Sequence, residues 1–325
     1  CMDPQQRLVL DHGYAAFHAS GTPRATLLGE NVGVALGISQ TEFAQVLAGS
    51  PLVTSVHAAT GTPLAVAAGR LSYVMGLHGP CAAYETACSA SLVACHGASR
   101  ALLAAECSRH LAAGVNLLLL PMTSYSLSIA GMTSPRGRSH TFDRRADGFA
   151  RGEGCAMVAL HAASSADVRL VLQGSAVRQD GRSASLTAPN GQAQTMLLAA
   201  ALSDTRLSAA ALGTVEAHGT GTALGDPIET RSLAVGVLVA RRTVPSALAF
   251  GSWKANAGHG EAAAGLAGLL KLSMAIARSE VAPNPQLRAL NVAVHSALRT
   301  VLCALSTQLG KCVHSIVGGV NSFGY

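Results

Sequence analysis

Short runs of leucine and β-branched residues alternate along the chain with longer alanine-rich stretches, in which apolar positions recur at helical spacing. The short runs predict strands at 33–36, 115–120, 156–160, 170–174, 214–217 and 315–319. The alanine-rich stretches predict helices, the two longest over about 88–107 and 262–278. Strands that alternate with helices in this way are typical of a layered α/β fold.

The length of the chain, 325 residues, is sufficient for a large buried core and for two similar halves. No low-complexity linker separates independent modules. The small polar stretch 164–167, near the midpoint, is the one plausible seam. We therefore expect an N-terminal half over 1–164 and a C-terminal half over 165–325.

Composition narrows the class of protein. Hydrophobic residues make up 49% of the chain and aromatic residues only 4%, with 34 glycines, so we expect an interior of closely packed Ala, Val and Leu. The net charge of +6 is spread along the sequence without a basic stripe. The absence of a basic stripe excludes a nucleic-acid-binding surface, and the spread positive charge favours at most the attraction of an acidic partner.

The eight cysteines and twelve histidines do not form a metal-binding pattern, since the chain contains no C-x-x-C pair and no H-E-x-x-H segment. No apolar run reaches the roughly 20 residues of a membrane span, despite a mean hydropathy of +0.34. The first residues show no secretion signal, and free thiols suit a reducing compartment. We expect a cytoplasmic protein without a metal, with an organelle such as a plastid left open.

Cys88, in the segment 83–105, has two interpretations: a small apolar packing residue or a nucleophile. A helix that begins at Cys88 would direct unpaired N–H groups at the thiol and lower its pKa. The small neighbours Ala87 and Ser89 leave the approach open. Cys95, two turns further on, is the better candidate for core packing. The segment alone leaves both interpretations of Cys88 open.

Two downstream segments add further reactive groups. His218 lies where a short strand enters a glycine-rich turn, in 215–230, and this turn matches neither a phosphate-binding loop nor G-x-G-x-x-G. Lys254 and His259 lie before the second long helix, in 251–265. One thiol, two imidazoles and one ammonium group are thus each expected at the end of a secondary-structure element.

The ordered motifs resemble those of the β-ketoacyl synthase domains of type I polyketide synthases, and those of fatty acid synthases. The matching segments occur in family order almost from end to end: MDPQQR (2–7), GRLSYVMGLHGP (69–80), TACSASL (86–92), TFDRRADGFARGEG (141–154), LTAPNG (186–191), EAHGTGTALGDPIE (216–229), KANAGHGEAAAG (254–265) and GVNSFGY (319–325). The resemblance implies a thiolase-like α-β-α-β-α fold of two similar halves, working as a homodimer.

The resemblance also implies a reaction, the decarboxylative Claisen condensation of acyl and malonyl-type thioesters. Cys88 would accept the acyl group, and the backbone N–H groups of Cys88 and Tyr325 would form the oxyanion hole. His218 and His259 would donate hydrogen bonds to the enolate oxygen, and Lys254 would set the local field and hold His259 in place.

The resemblance further implies contacts of Thr220, Thr222 and Phe323 with the phosphopantetheine arm of an acyl carrier protein. The two threonines can also be read as turn-forming hydroxyls. No cofactor is implied beyond the carrier's arm, and the implied partners are the carrier protein and flanking synthase domains such as an acyltransferase.

Several positions depart from the family pattern. Glu85 stands in place of Asp, Arg178 and Ala184 in place of Asn, and Trp253 in place of a smaller residue. The family's opening and closing strands have no counterpart in this sequence, so we expect an excerpt of a longer polypeptide. Two alternatives stay open: an inactive fragment that keeps dimer or carrier docking, and a thiolase-type acyltransferase. The starter unit, extender unit and product class also stay open.

Overall fold

Two four-stranded sheets organise the residues that the computed structural model describes, namely 1–162, 170–308, 310–311 and 317–324. The strands of the first sheet are β1 (Val32–Gly37), β2 (Cys81–Tyr84), β3 (Arg109–Asn116) and β4 (Gly154–His161). Their order is β2-β1-β3-β4, with β1 parallel to both neighbours and β4 antiparallel to β3. Val34 lies opposite Cys81 on one side and Leu111 on the other.

The second sheet is entirely parallel. Its strands are β5 (Thr214–Glu216), β6 (Leu248–Gly251), β8 (Cys303–Ala304) and β10 (Gly318–Val320), in the order β10-β5-β6-β8. Two further strands, β7 (Glu280–Val281) and β9 (Gly310–Lys311), form a short antiparallel pair.

Helices cover and separate the two sheets. The described α-helices are α1 (Pro4–Ala19), α2 (Glu42–Ala48), α3 (Ala58–Gly61), α4 (Leu64–Met75), α5 (Ala90–Leu103), α6 (Pro121–Ile129), α7 (Gly191–Thr205), α8 (Gly225–Leu233), α9 (Lys254–Ala257), α10 (Ala264–Arg278) and α11 (Val292–Leu298). A π-helical turn, Ala234–Leu238, prolongs α8. Short 3₁₀ turns occur at Arg24–Thr26, Pro51–Thr54, Ala87–Ser89, Ala209–Ala211, Val239–Arg241 and Glu261–Ala263.

The packing arranges these elements in five layers. Helices α1 and α4 cover the outer face of the first sheet, and α8 and α11 lie on the second. Helix α5 packs on the first sheet, α10 contacts strands of both sheets, and the two helices contact each other, so they form the central layer. Alanines and Cys95 dominate the cluster between α5 and the first sheet, because small side chains allow the helix to approach closely. The fold is therefore the expected thiolase-like α-β-α-β-α arrangement.

Close contacts fix the beginning of α5 against the ends of two strands. A Cβ on Gly37 of β1 would lie 2.5 Å from the carbonyl carbon of Ala90, and one on Gly114 of β3 would lie 2.5 Å from Cβ of Ser91. The Ser91 hydroxyl accepts a hydrogen bond from the Leu266 amide of α10 at 3.1 Å. The segment that carries Cys88 is therefore held between both halves of the chain.

Several strand and helix predictions are confirmed. Strands occur at the predicted positions 33–36 and 156–160, and the strand predicted over 214–217 occurs but ends at Glu216. The helix predicted over 262–278 is α10, which a 3₁₀ turn precedes. The helix predicted over 88–107 also begins with a 3₁₀ turn, but it ends at Leu103, and Ala105 takes a positive φ of 56°.

Two strand predictions are wrong. The leucine run 115–120 belongs to a strand only as far as Asn116, because the amides of Leu119 and Leu120 donate to the Glu42 carboxylate and Pro121 then begins α6. The segment 170–174 pairs with no described strand, so its apolar pattern does not form a ladder.

Two further expectations fall partly or wholly outside the described residues. Of the predicted strand 315–319, residues 315 and 316 lie outside them, and β10 begins at Gly318. The expected boundary between the halves, at residues 164 and 165, also lies outside the described residues. Within the described ranges, no helix combines the length and apolarity needed to cross a membrane.

Candidate active site

Cys88 lies in the 3₁₀ turn between β2 and α5. The residue is buried, with 7% of its surface exposed. Ala87, immediately before it, has a φ of +47°, a left-handed conformation that is costly for a residue with a Cβ and that tends to occur at functional sites. The Cys88 carbonyl oxygen accepts a hydrogen bond from the Ser322 hydroxyl at 2.7 Å. The turn therefore places Cys88 where Ser322, near the end of the chain, approaches the start of α5.

Burial controls the ionisation of Cys88. It raises the pKa of the thiol to about 12, and the negative charge of Glu261 acts in the same direction, whereas the Lys254 ammonium opposes the shift. The sequence-based expectation that the helix start lowers this pKa is therefore wrong, because desolvation by burial outweighs the Lys254 charge and the backbone hydrogen bond that favour the thiolate. The resting form at neutral pH is the thiol.

His218 follows β5 and is anchored through its backbone. The Glu229 carboxylate of α8 accepts hydrogen bonds from the amides of His218, at 2.7 Å, and of Gly219, at 2.8 Å. The Phe323 amide lies 3.3 Å from Nδ1 of His218 and donates to it. Because Nδ1 of His218 accepts a hydrogen bond, the ring proton of the neutral imidazole is on Nε2.

His259 is held by the same kind of contact. Its side chain is fully buried, and the Glu261 amide donates to its Nδ1 at 3.1 Å. Its own amide donates to the Ala150 carbonyl at 2.7 Å, and its ring meets that of Phe149 edge-on, with 4.8 Å between centroids. Nε2 of His259 is buried and has no hydrogen-bond partner among the described residues. This nitrogen is thus a free donor.

The two imidazoles form a pair of donors. Their ring centroids are 5.7 Å apart and their planes are nearly perpendicular, at 87°. Burial and the Lys254 charge hold the pKa of both histidines well below the usual range, so both are neutral at pH 7. Two neutral Nε2–H groups can stabilise negative charge that develops on a substrate oxygen.

Lys254, at the first position of α9, supplies the positive charge of this region. Its side chain is buried, which lowers its pKa, while the carboxylates of Glu216 and Glu229 favour the charged form. Its charge opposes ionisation of His218 and His259. Because it also favours the Cys88 thiolate, Lys254 acts electrostatically on the three other candidate residues.

The residues expected to contact the pantetheine arm have local roles in the structure. The hydroxyls of Thr220 and Thr222 lie 3.3 Å apart, and that of Thr222 accepts a hydrogen bond from the Gly225 amide at the start of α8. The Phe323 ring meets the His218 ring edge-on at 5.4 Å. Tyr325, expected to complete the oxyanion hole, lies outside the described residues.

Sequence reasoning missed the buried charged residues that support the site. Asp226 accepts hydrogen bonds from the amides of Phe142, at 2.7 Å, and Gly221, at 3.0 Å, and its pKa rises to about 7 through burial. Glu216 accepts from the Trp253 amide and, at 2.7 Å, from the Lys271 ammonium. The acidic positions of the motif 216–229 were the available signal, since carboxylates inside a glycine-rich turn often bind backbone amides.

Two of the positions that depart from the family pattern, Glu85 and Arg178, line the same continuous cleft as Cys88, which Phe149 and Phe323 also border. Ala184 and Trp253 do not line this cleft. Within the described residues, no three His, Cys, Asp or Glu side chains lie close enough to hold a metal ion.

Comparison with known proteins identifies relatives of the whole chain. The family profile described as beta-ketoacyl synthase, N-terminal domain, matches residues 1–166, and that described as beta-ketoacyl synthase, C-terminal domain, matches 170–288. One component of the phenolphthiocerol/phthiocerol polyketide synthase of Mycobacterium tuberculosis is 45% identical over 85% of this chain and 13% of its own length. Another component of that synthase, from the same species, is 40% identical over 100% of this chain and 18% of its own length. The chain thus spans less than a fifth of these relatives.

Solved structures show the same likeness. A ketosynthase from module 6 of the bacillaene synthase of Bacillus subtilis 168 superposes with a TM-score of 0.90 at 33% identity, over 100% of this chain and 57% of that one. An oxazolomycin ketosynthase domain of Streptomyces albus JA3453 superposes with a TM-score of 0.89 at 31% identity, over 99% of this chain and 58% of that one. The chain spans a little more than half of each structure.

Proposed function

The chain belongs to the β-ketoacyl synthase family, and from this premise we propose that it catalyses a decarboxylative Claisen condensation in polyketide chain elongation. One observation carries the proposal. Ser322 and Phe323 are adjacent in the chain, and they bond to the Cys88 carbonyl and to Nδ1 of His218 respectively. This contact supports the joint action of a nucleophile from one half and a hydrogen-bond donor from the other.

The first step is transfer of an acyl group to Cys88. The thiol attacks the carbonyl of an acyl thioester carried on the phosphopantetheine arm of an acyl carrier protein. The new thioester forms on Cys88, the bond to the pantetheine sulfur breaks, and the proton of the Cys88 thiol ends on the released pantetheine thiol. Lys254 favours this step because its charge stabilises the thiolate that must form before the attack. The backbone amides of Cys88 and Tyr325 are proposed to hold the developing oxyanion.

The second step uses the two histidines. A malonyl-type thioester replaces the first carrier arm and loses carbon dioxide, which leaves an enolate. Its oxygen accepts hydrogen bonds from the Nε2–H groups of His218 and His259. The enolate carbon then attacks the acyl carbonyl, and the Cys88 sulfur leaves as a thiolate, which takes up a proton from solvent to restore the resting thiol. The product is a β-ketoacyl thioester on the carrier protein, so the enzyme is an acyltransferase.

The partners follow from this chemistry. An acyl carrier protein delivers both thioesters, and Thr220, Thr222 and Phe323 are proposed to line the path of its arm. A homodimer is supported by β2, which ends the first sheet among the described strands and exposes Cys81 and Ala82. Flanking synthase domains, such as an acyltransferase, and a cytoplasmic location stay predictions.

Turnover of the two thioesters tests this function. The protein is incubated with an acyl thioester and a malonyl thioester on carrier protein, and the β-ketoacyl product and carbon dioxide are measured. We expect both in equal amounts, loss of the product in Cys88→Ala, and retention in Cys1→Ser, which removes a free thiol that does not line the Cys88 cleft. A folded protein that forms no product would contradict the proposal and favour a non-catalytic docking domain.

A further inference from the structure

A buried ion pair next to His259 has no part in the chemistry described so far. Arg151 Nε lies 2.5 Å from Oε1 of Glu261, and Arg151 Nη2 lies 3.2 Å from Oε2. The two side chains expose 5% and 10% of their surface. A buried ion pair adds little stability compared with apolar packing, because both charges must be desolvated. Stability alone is therefore a weak reason for this pair.

The backbone of Glu261 connects the ion pair to the imidazole. Glu261 has a φ of +42°, in the left-handed region that a residue with a side chain occupies only when its surroundings hold it there. In this conformation, its amide donates to Nδ1 of His259 at 3.1 Å. The two hydrogen bonds from Arg151 fix the side chain of Glu261 and so help to hold the amide in position.

The segment around Arg151 holds His259 from the other side. The His259 amide donates to the Ala150 carbonyl at 2.7 Å, and the Gly152 amide donates to the His259 carbonyl at 2.9 Å. Arg151 thus lies between Ala150 and Gly152, which both form hydrogen bonds with the backbone of His259. Its guanidinium binds Glu261, whose amide donates to the His259 ring. Backbone and side-chain contacts form a closed loop around the imidazole.

A glutamine connects this loop to the start of the chain. Gln40 Nε2 donates to Oε2 of Glu261 at 2.6 Å, and the Gln40 carbonyl accepts from Gln5 Nε2 at 3.0 Å. Gln5 in turn donates to the Asp3 carboxylate, at 3.2 Å from its side chain and 2.8 Å from its amide. The motif 2–7, which contributes no reacting group, therefore has a hydrogen-bonded route to His259.

The ion pair also lies close to the proposed reaction. Gln40 and Glu261 line the same cleft as Cys88. The charge of Arg151 lowers the pKa of His259, and the charge of Glu261 raises the pKa of Cys88. A network that only stabilised the fold would not need to line the cleft that contains Cys88.

We propose that the Arg151–Glu261 pair, seated by Gln40, is a positioning device that holds His259 as a neutral imidazole with its proton on Nε2, facing the substrate oxygen. The use of that N–H rests on the proposed function. The positioning of His259 does not rest on that function, because the tautomer can be measured in the protein without any substrate. Glu261, Arg151 and Gln40 are positioning residues, since none of them reacts.

The first test replaces Glu261 with glutamine, which keeps the size and the backbone amide but removes the charge. We expect malonyl decarboxylation to fall about tenfold to a hundredfold, as it does in metal sites when a partner that orients a metal-binding histidine is removed. Alkylation of Cys88 by iodoacetamide should become faster at a fixed pH, because the charge that raises the pKa of Cys88 is gone. Slower decarboxylation together with faster alkylation of Cys88 distinguishes the loss of histidine positioning from general damage to the fold. Unchanged decarboxylation would overturn the proposal.

The second test reads the tautomer directly. In protein labelled with nitrogen-15 in histidine, the two ring nitrogens of His259 are identified by their loss in His259→Ala. We expect a neutral ring with its proton on Nε2 in the unsubstituted protein, and a mixture of tautomers in Gln40→Leu, which removes the tether without unpairing Arg151. A single Nε2–H tautomer that persists in both Gln40→Leu and Glu261→Gln would overturn the proposal.

Arg145→Lys provides the matched control, because Arg145 forms an ion pair with a buried carboxylate, that of Asp143, away from the Cys88 cleft. Its decarboxylation rate and His259 spectrum should remain those of the unsubstituted protein. If the unsubstituted protein shows the expected tautomer but does not condense thioesters, the proposed function fails and the positioning device stands.

Discussion

Replacement of His259 by alanine removes one of two proposed donors. The side chain is fully buried, and its Nε2 has no other partner among the described residues. The variant therefore loses a hydrogen bond that forms only when substrate oxygen is present. His218 remains, with Nδ1 still bonded to the Phe323 amide.

The expected loss of decarboxylation rate follows from the contribution of one hydrogen-bond donor. One preorganised donor to a developing oxyanion contributes about 3 to 4 kcal/mol, so decarboxylation should slow by a factor of about a hundred to a thousand. The same change leaves the Glu261 amide without its acceptor, which costs about 1 to 3 kcal/mol of folding stability. The effect on rate and the effect on stability must therefore be measured separately.

The assay follows carbon dioxide release from a labelled malonyl thioester, with thermal unfolding and alkylation of Cys88 as controls for folding. His259→Ala and His218→Ala should both retain acyl loading and lose decarboxylation. A folded His259→Ala protein that releases carbon dioxide at the unsubstituted rate would refute the assignment of two donors.

Two further substitutions test the electrostatics of the site and of the fold. Lys254→Ala should slow both acyl loading and decarboxylation, because the Lys254 charge acts on Cys88 and on both histidines; a pH profile of Cys88 alkylation identical to that of the unsubstituted protein would contradict this. Asp143→Asn should lower the free energy of unfolding by about 2 to 3 kcal/mol at pH 7, since it removes the charge of a buried carboxylate that pairs with the partly exposed Arg145. The pKa of Asp143 is lowered in the folded state, so its contribution is present above about pH 4 and is lost as the pH falls; denaturant titrations at pH 7 and pH 3 should therefore differ less in the variant than in the unsubstituted protein.

The catalytic candidates could be predicted because each lies at the end of an element that the sequence pattern identifies. Cys88 precedes α5, His218 follows β5, and His259 precedes α10. Small residues around these positions indicated close packing, which Gly37 and Gly114 confirm at the start of α5. Periodicity and local composition are sufficient for such features, since they depend on short stretches of chain.

The supporting network could not be predicted in the same way. Gln40 and Glu261 are far apart in the sequence, and nothing local shows that they meet. The leucines of the run 115–120 fit a buried strand, whereas the Glu42 carboxylate binds the amides of Leu119 and Leu120 instead. The ionisation of Cys88 differs from the local expectation for a similar reason, since burial depends on the whole fold while the helix start is visible in the local sequence.

Acyl transfer to a single thiol tests the central claim most directly. The protein is mixed with an acyl thioester on carrier protein in the absence of any malonyl thioester, and its intact mass and digested peptides are measured by mass spectrometry. We predict one acyl group per chain, located on Cys88 and absent in Cys88→Ala. A folded protein that stays unmodified, or that carries the acyl group on another cysteine, would contradict the account.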